Sequence, residues 1–127
     1  MNRLTIDLRP GEYALSRLPA GSGLPALPPS DSLFSITSTP EEISVVSPVG
    51  SAPAGAKMEQ GWRLLTVRGP LEFTLTGIMA SLAGSLAAAG VPIFALSTFD
   101  TDHILVKETD LDRAVEALRD AGHEVHV

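Results

Sequence analysis

The sequence predicts an α+β fold of two related units, a helix-poor one at 1–60 and a complete βαββαβ unit at 61–127. Three observations predict it. In the second half, short β-branched runs alternate with two helical periodicities in the order βαββαβ, the ferredoxin-like split unit. Two segments of the first half lie over segments of the second at one common shift of 60 residues. Where the second half has its helices, the first half is rich in proline and glycine, which do not sustain a regular helix.

The run at 62–68, WRLLTVR, is short, mostly apolar and β-branched at Thr66 and Val67, so it reads as a strand that Gly69-Pro70 ends. In LTGIMASLAGSLAAAG, residues Leu75, Ile78, Met79, Leu82 and Leu86 fall on one helical face. Thr74 or Thr76 is expected to cap that helix and Gly90 to end it. Its other face, Ala80, Ala83, Gly84, Ala87 and Ala88, is small enough for another backbone to come close. VPIFALS at 91–97 is almost wholly apolar, as a central strand is, with Pro92 confined to its beginning. HILVK at 103–107 is the next strand. The spacing of Thr109 and Asp112 is that of a capping box before a helix that gathers Leu111, Ala114, Val115 and Leu118. Gly122 stops that helix, and HEVHV alternates as a last strand.

At the shift of 60, RLTIDLRPGEY (3–13) lies over RLLTVRGPLEF (63–73), and LFSITSTPEEISVV (33–46) over IFALSTFDTDHILV (93–106). Tyr13 then meets Phe73, Phe34 meets Phe94 and Val46 meets Val106. The helix positions of the first copy hold SRLPAGSGLPALPP and SPVGSAPAGAKMEQ, so regular helices are expected to be missing at 16–29 and 48–60, with 13–18 free to extend as a strand.

Composition narrows the function. The chain has 127 residues, 44% hydrophobic and 19% charged, which is a globular composition and not a disordered one. It has no cysteine, which excludes disulfides and thiolate metal sites and fits a reducing cytoplasm. A net charge of −6 argues against nucleic acid and anionic membrane as partners. MNRLTIDLRPGEY is too interrupted by charge to be a signal peptide. Residues 73–99 carry no charge, yet Gly90 and Pro92 break them, and the helical part reaches only about 21 Å of a roughly 30 Å hydrocarbon core. They read as a buried helix and a buried strand.

Catalytic and metal chemistry find little support. His123 and His126 are three apart, on opposite faces of a strand, and each histidine, His103 included, reads as a solvent-facing or rim residue. No nucleophile elbow, phosphate loop or zinc-protease motif is present. Asp100 and Asp102 lie in a turn beside Thr98 and Thr101, where hydroxyls and water keep both ionised. RNA-recognition domains share the element order but need aromatic residues on two central strands; WRLLTVR has one at its start and HILVK has none. The chain is therefore read as no enzyme, with no cofactor and no metal.

Two polar stretches remain. GPLEFTLTG (69–77) sets Glu72, Phe73, Thr74 and Thr76 before a helix start, a place that suits a carboxylate. STFDTD (97–102) is too polar for a plain reversal. The two are expected at opposite ends of one sheet, so that only two units side by side would close a pocket from both. The turn also has a purely structural reading, in which its side chains satisfy local backbone.

STFDTDHILVKETDL, preceded by TLTGIMASLAGSLAAAGVPIFAL, resembles the ACT-domain family of small regulatory modules that bind amino acids. More narrowly it is similar to the branch shared by small bacterial two-unit ACT proteins and the cytosolic arginine sensors of animals. Ser97, Thr98, Phe99, Thr101, Asp102, Leu105, Val106, Lys107, Glu108, Asp110 and Leu111 carry the resemblance, which is strong over 62–127, fair over 33–46 and weak over 1–32. It implies tandem ACT units, the first degenerate, and a regulatory or sensor module with a free amino acid at an interface between units. It implies a homodimer as well, and leaves the regulated protein partner unknown. Thr98, Phe99 and Asp102 would form the turn side, and Glu72, Phe73, Thr74 and Gly77 with Val91 and Pro92 the facing side. Asp102 would take the ammonium, hydroxyls and backbone N–H groups the carboxylate, and Phe99 the aliphatic part. The alternative is a structural or protein-interaction ACT module without a ligand.

Overall fold

The computed structural model of the chain describes residues 3–29, 31–72 and 75–127. The elements are β1 (Thr5–Leu8), β2 (Tyr13–Pro19), β3 (Ser35–Ser38), β4 (Glu42–Pro48), β5 (Lys57–Val67), α1 (Ile78–Ala88), β6 (Ile93–Ser97), β7 (Asp102–Lys107), α2 (Leu111–Asp120) and β8 (Glu124–His126). Single 3-10 turns occupy Val49–Ser51 and Glu108–Asp110. The fold is the tandem one expected, a helix-poor ACT-like unit and a complete one. The compact units cut the chain twice, however, where one cut between 60 and 61 was expected. One unit is Gly11–Trp62, and the other combines the residues up to Pro10 with Arg63–Val127.

Within Gly11–Trp62 the strand order is β3-β4-β2-β5. All three pairings are antiparallel, with Ile36↔Val45, Ser16↔Val45 and Ser16↔Met58 in register. This is the strand order of a βαββαβ unit with its helices removed. With β2 as the first strand, the first helix position, between β2 and β3, is a proline-rich loop, and the second is the Val49–Ser51 turn. No regular helix lies in 16–29 or 48–60 among the described residues. Between Tyr13↔Trp62 and Leu15↔Glu59 the register slips by one residue, and Gly61 at φ 84° absorbs the bulge.

In the second unit the pairing runs β6-β7-β5-β1-β8. The N-terminal strand was expected to be the first strand of the first unit. Instead β1 lies between β5 and β8, with Ile6 opposite both Val67 and Val125. The cause is its alternation. Leu4, Ile6 and Leu8 face the core made by Leu65, Val67, Leu82, Leu86, Val106 and Leu118. The outward Asp7 accepts two hydrogen bonds from Arg68, at 2.7 and 3.1 Å.

Helix starts differ from expectation. α1 begins at Ile78 behind Gly77, at φ 77°, with no side-chain cap, so Thr76 does not cap it; Thr74 lies outside the described residues. Leu75 precedes the helix and is exposed, whereas Leu82 and Leu86 are fully buried. At α2 the capping-box pattern does not close either. Asp110 spends its carboxylate on Arg113 at 2.7 Å rather than on the helix amides.

Two histidines also correct the reading of all three as rim residues: His103 and His123 are buried. Nδ1 of His123 accepts the amide of Leu4 at 3.1 Å, a bond made possible by the insertion of β1. His126 is exposed and pairs with Glu124.

Candidate functional site

β5, α1 and β6 form a strand–helix–strand crossover, and such a crossover returns the chain in the same direction. The loop after β5 and the turn after β6 therefore emerge at the same end of the second unit. The expectation that they lie at opposite ends is corrected. Leu71, Glu72, Leu75 and Gly77 face Ser97 to Asp102 across a cleft of about 360 Å³ whose floor includes Ile78 and Met79. That volume falls in the range of small-molecule sites, about 300–1,000 Å³.

One backbone bond and one side-chain bond hold the two walls together. The amide of Leu71 donates to the carbonyl of Asp100 at 2.7 Å, and the Thr101 hydroxyl donates to the carbonyl of Val67 at 2.5 Å. The approach is so close that a Cβ on Gly69 would lie 2.9 Å from the Asp100 carbonyl oxygen and 3.1 Å from Cβ of Thr101. A cis peptide joins Gly69 to Pro70.

The turn is braced from within. The Thr98 amide donates to the Thr101 carbonyl at 2.8 Å, and its hydroxyl to the same carbonyl at 3.2 Å. The Ser97 hydroxyl donates to Asp102 at 2.5 Å. Behind the turn, His103 bridges Thr66, 3.0 Å from its Nδ1, and Thr98, 3.5 Å from its Nε2. Burial holds the His103 imidazole below its ordinary pKa; Asp102 pulls it up and Arg9 pushes it further down.

The cleft gathers Glu72, Asp100 and Asp102, three carboxylates, and among the described residues none of its lining is basic. Of the residues expected in the site, Thr98, Phe99, Asp102, Glu72 and Gly77 line it. Phe73 and Thr74 lie outside the described residues. Val91 is buried in the core just before β6, at the opposite end of that strand, and Pro92 beside it is exposed; neither lines the cleft. Leu71, Leu75, Ile78, Met79, Ser97, Asp100 and Thr101 were not expected there. The signal that finds them is the parallel sense of two strands joined by a helix. Among the described residues no cluster of three or more potential metal ligands occurs, and no helix is long and apolar enough to cross a membrane.

A family described as "ACT domain" matches residues 57–120, which include the whole cleft. The human "Cytosolic arginine sensor for mTORC1 subunit 1" is 42% identical over 59 residues. That stretch is 46% of this chain and 18% of the sensor, so the chain spans well under two thirds of this relative's length. A crystal structure of a protein from Agrobacterium tumefaciens is 34% identical, with a TM-score of 0.89, over 98% of this chain and 93% of that one. A protein of unknown function from Vibrio cholerae shares the fold at 23% identity and a TM-score of 0.70, over 93% of this chain and 89% of its own.

Proposed function

Because this chain belongs to the ACT-domain family, we propose that it is a non-enzymatic sensor module whose cleft takes a free amino acid with a cationic side chain. One observation carries this reading: three carboxylates face one small cleft without a basic residue among its described lining. An α-amino acid brings an ammonium, and a basic one a second cation. Asp102 takes one of them, with its remaining acceptor capacity beside the Ser97 hydroxyl. The α-carboxylate would take its donors from loop amides and from turn hydroxyls that, on binding, give up their bonds to Asp102, Thr101 and Val67. The Phe99 ring and Leu75, both exposed at the cleft, cover the aliphatic stem. The name of the human relative supports arginine as the first ligand to try.

The cleft is open on one side, and a second copy of the chain is proposed to close it in a homodimer. An isologous two-fold contact is the commonest arrangement. A thermal-shift screen against the twenty amino acids tests the ligand, since a molecule that binds only the native state raises its melting temperature. Stabilisation by basic amino acids supports the reading; an unchanged melting temperature with all twenty overturns it.

A second reading has its own support. Thr98, Thr101 and Ser97 all hydrogen-bond within the turn or to Val67. A ligand-free interaction module would need the same bonds, and for it the screen is silent.

A further inference from the structure

The proline-rich segment that replaces a helix in Gly11–Trp62 has no part in the cleft. In Leu24-Pro25-Ala26-Leu27-Pro28-Pro29, five of six residues are restrained toward polyproline II. The three prolines are restrained by their rings, and Leu24 and Leu27 by the proline that follows each. The burial pattern has the matching period. Ser22, Pro25 and Pro28 are half-buried, while the two residues between each are exposed at 23–24 and 26–27. A helix of three residues per turn puts i and i+3 on one edge. The 22/25/28 edge is therefore turned toward the protein, and Leu24 and Leu27 form a free edge, 66% and 69% exposed. The ends are tethered, by Ser22 donating to the Pro19 carbonyl at 3.2 Å and by Leu33 donating to the Tyr13 hydroxyl oxygen at 3.4 Å.

We propose that this ridge docks into a groove of a partner protein lined by tryptophan and tyrosine rings. Its two Leu-Pro steps lie three residues apart, so each presents an apolar side chain beside a rigid ring. Residues 20–29 carry no charge, which leaves apolar contact and main-chain carbonyls as the means of recognition. Tryptophan N–H and tyrosine O–H groups supply donors for those carbonyls, and their rings cover leucine and proline. The prolines exclude the other common modes. They cannot donate to an added strand, and they cannot form a helix for a groove. Because the prolines and the residues before them already restrain the chain toward an extended conformation, docking orders little further chain.

The probes are an isolated SH3 domain and an isolated WW domain, each titrated to millimolar concentration into the 15N-labelled full chain. The expected result with at least one of them is saturable shifts concentrated in the amides of 20–33. Leu24→Asp/Leu27→Asp should weaken that binding about tenfold or more. Its melting temperature should stay at the wild-type value, because both side chains are exposed. Absence of saturable shifts with both domains overturns the proposal, and so does binding that the double variant leaves unchanged.

Discussion

The amide of Leu71 donates to the carbonyl of Asp100 at 2.7 Å, and this bond joins the two walls of the candidate cleft. It ties the loop before α1 to the turn after β6, two stretches 29 residues apart in sequence that a crossover brings to one end of the sheet. The cleft's shape thus depends on backbone approach as much as on side chains.

Gly69→Ala tests that dependence. The added methyl would meet the Asp100 carbonyl oxygen at 2.9 Å, a backbone atom that cannot swing aside. The expected cost is about 1–3 kcal/mol, the usual range for overpacking. Denaturant unfolding measures it, and wild-type stability in the variant would mean that the two walls are free to separate.

The core of the second unit predicts a larger effect. Leu82 of α1 is fully buried in the core that α2 and the sheet share. Leu82→Ala should cost about 2–5 kcal/mol with the fold retained. An exposed leucine such as Leu27 should tolerate the same change within about 0.5 kcal/mol.

Stability should fall on mild acidification. Burial holds both His103 and His123 below the ordinary value of 6.5, and His123 already uses Nδ1 to accept the Leu4 amide. Between their depressed values and 6.5 the unfolded chain binds more protons than the folded one. Stability is therefore full above 6.5, declines as pH drops through it, and levels off below the folded values. The lowered pKa of Asp7, held down by its hydrogen bonds from Arg68, acts only below its ordinary 3.8. Melting temperatures from about pH 7.5 to 5.5 should fall for the wild type and flatten in His103→Gln/His123→Gln. An equal slope in both proteins would assign the effect to other groups.

The elements of the second half were legible because each carries its own period. Leu82 and Leu86 mark one helix, Ala114, Val115 and Leu118 the other, and β6 and β7 are apolar runs bounded by polar turns. The missing helices were legible for the same local reason, their prolines. The place of β1 was not legible. Leu4, Ile6 and Leu8 show that the strand has one apolar face, but alternation does not name the neighbour, and Val125 is some 119 residues away from Ile6. The histidines were misread because Leu4 and Thr66, which meet His123 and His103, lie 119 and 37 residues away from them in sequence. Half of the candidate site was visible as polar turn residues. The other half needed the relative direction of β5 and β6, which follows from their connection by a helix.

The oligomeric state bears on the open side of the cleft. Sedimentation at micromolar concentration should show a dimer, and adding the best ligand of the amino-acid screen should strengthen it if a second copy closes the site. A monomer under both conditions would confine the site to one chain.

The most direct measurement of the central claim is calorimetric titration of the wild type, Asp100→Asn and Asp102→Asn with arginine. Asp102 accepts the Ser97 hydroxyl inside the cleft, whereas Asp100 contributes its main-chain carbonyl to the joining bond. Loss of the Asp102 charge should weaken binding by about 1.5–3 kcal/mol, roughly tenfold to a hundredfold, at unchanged fold, and Asp100→Asn should matter less. Equal affinity in all three proteins would contradict the role of Asp102, and no heat of binding from the wild type would contradict the cleft as an arginine site.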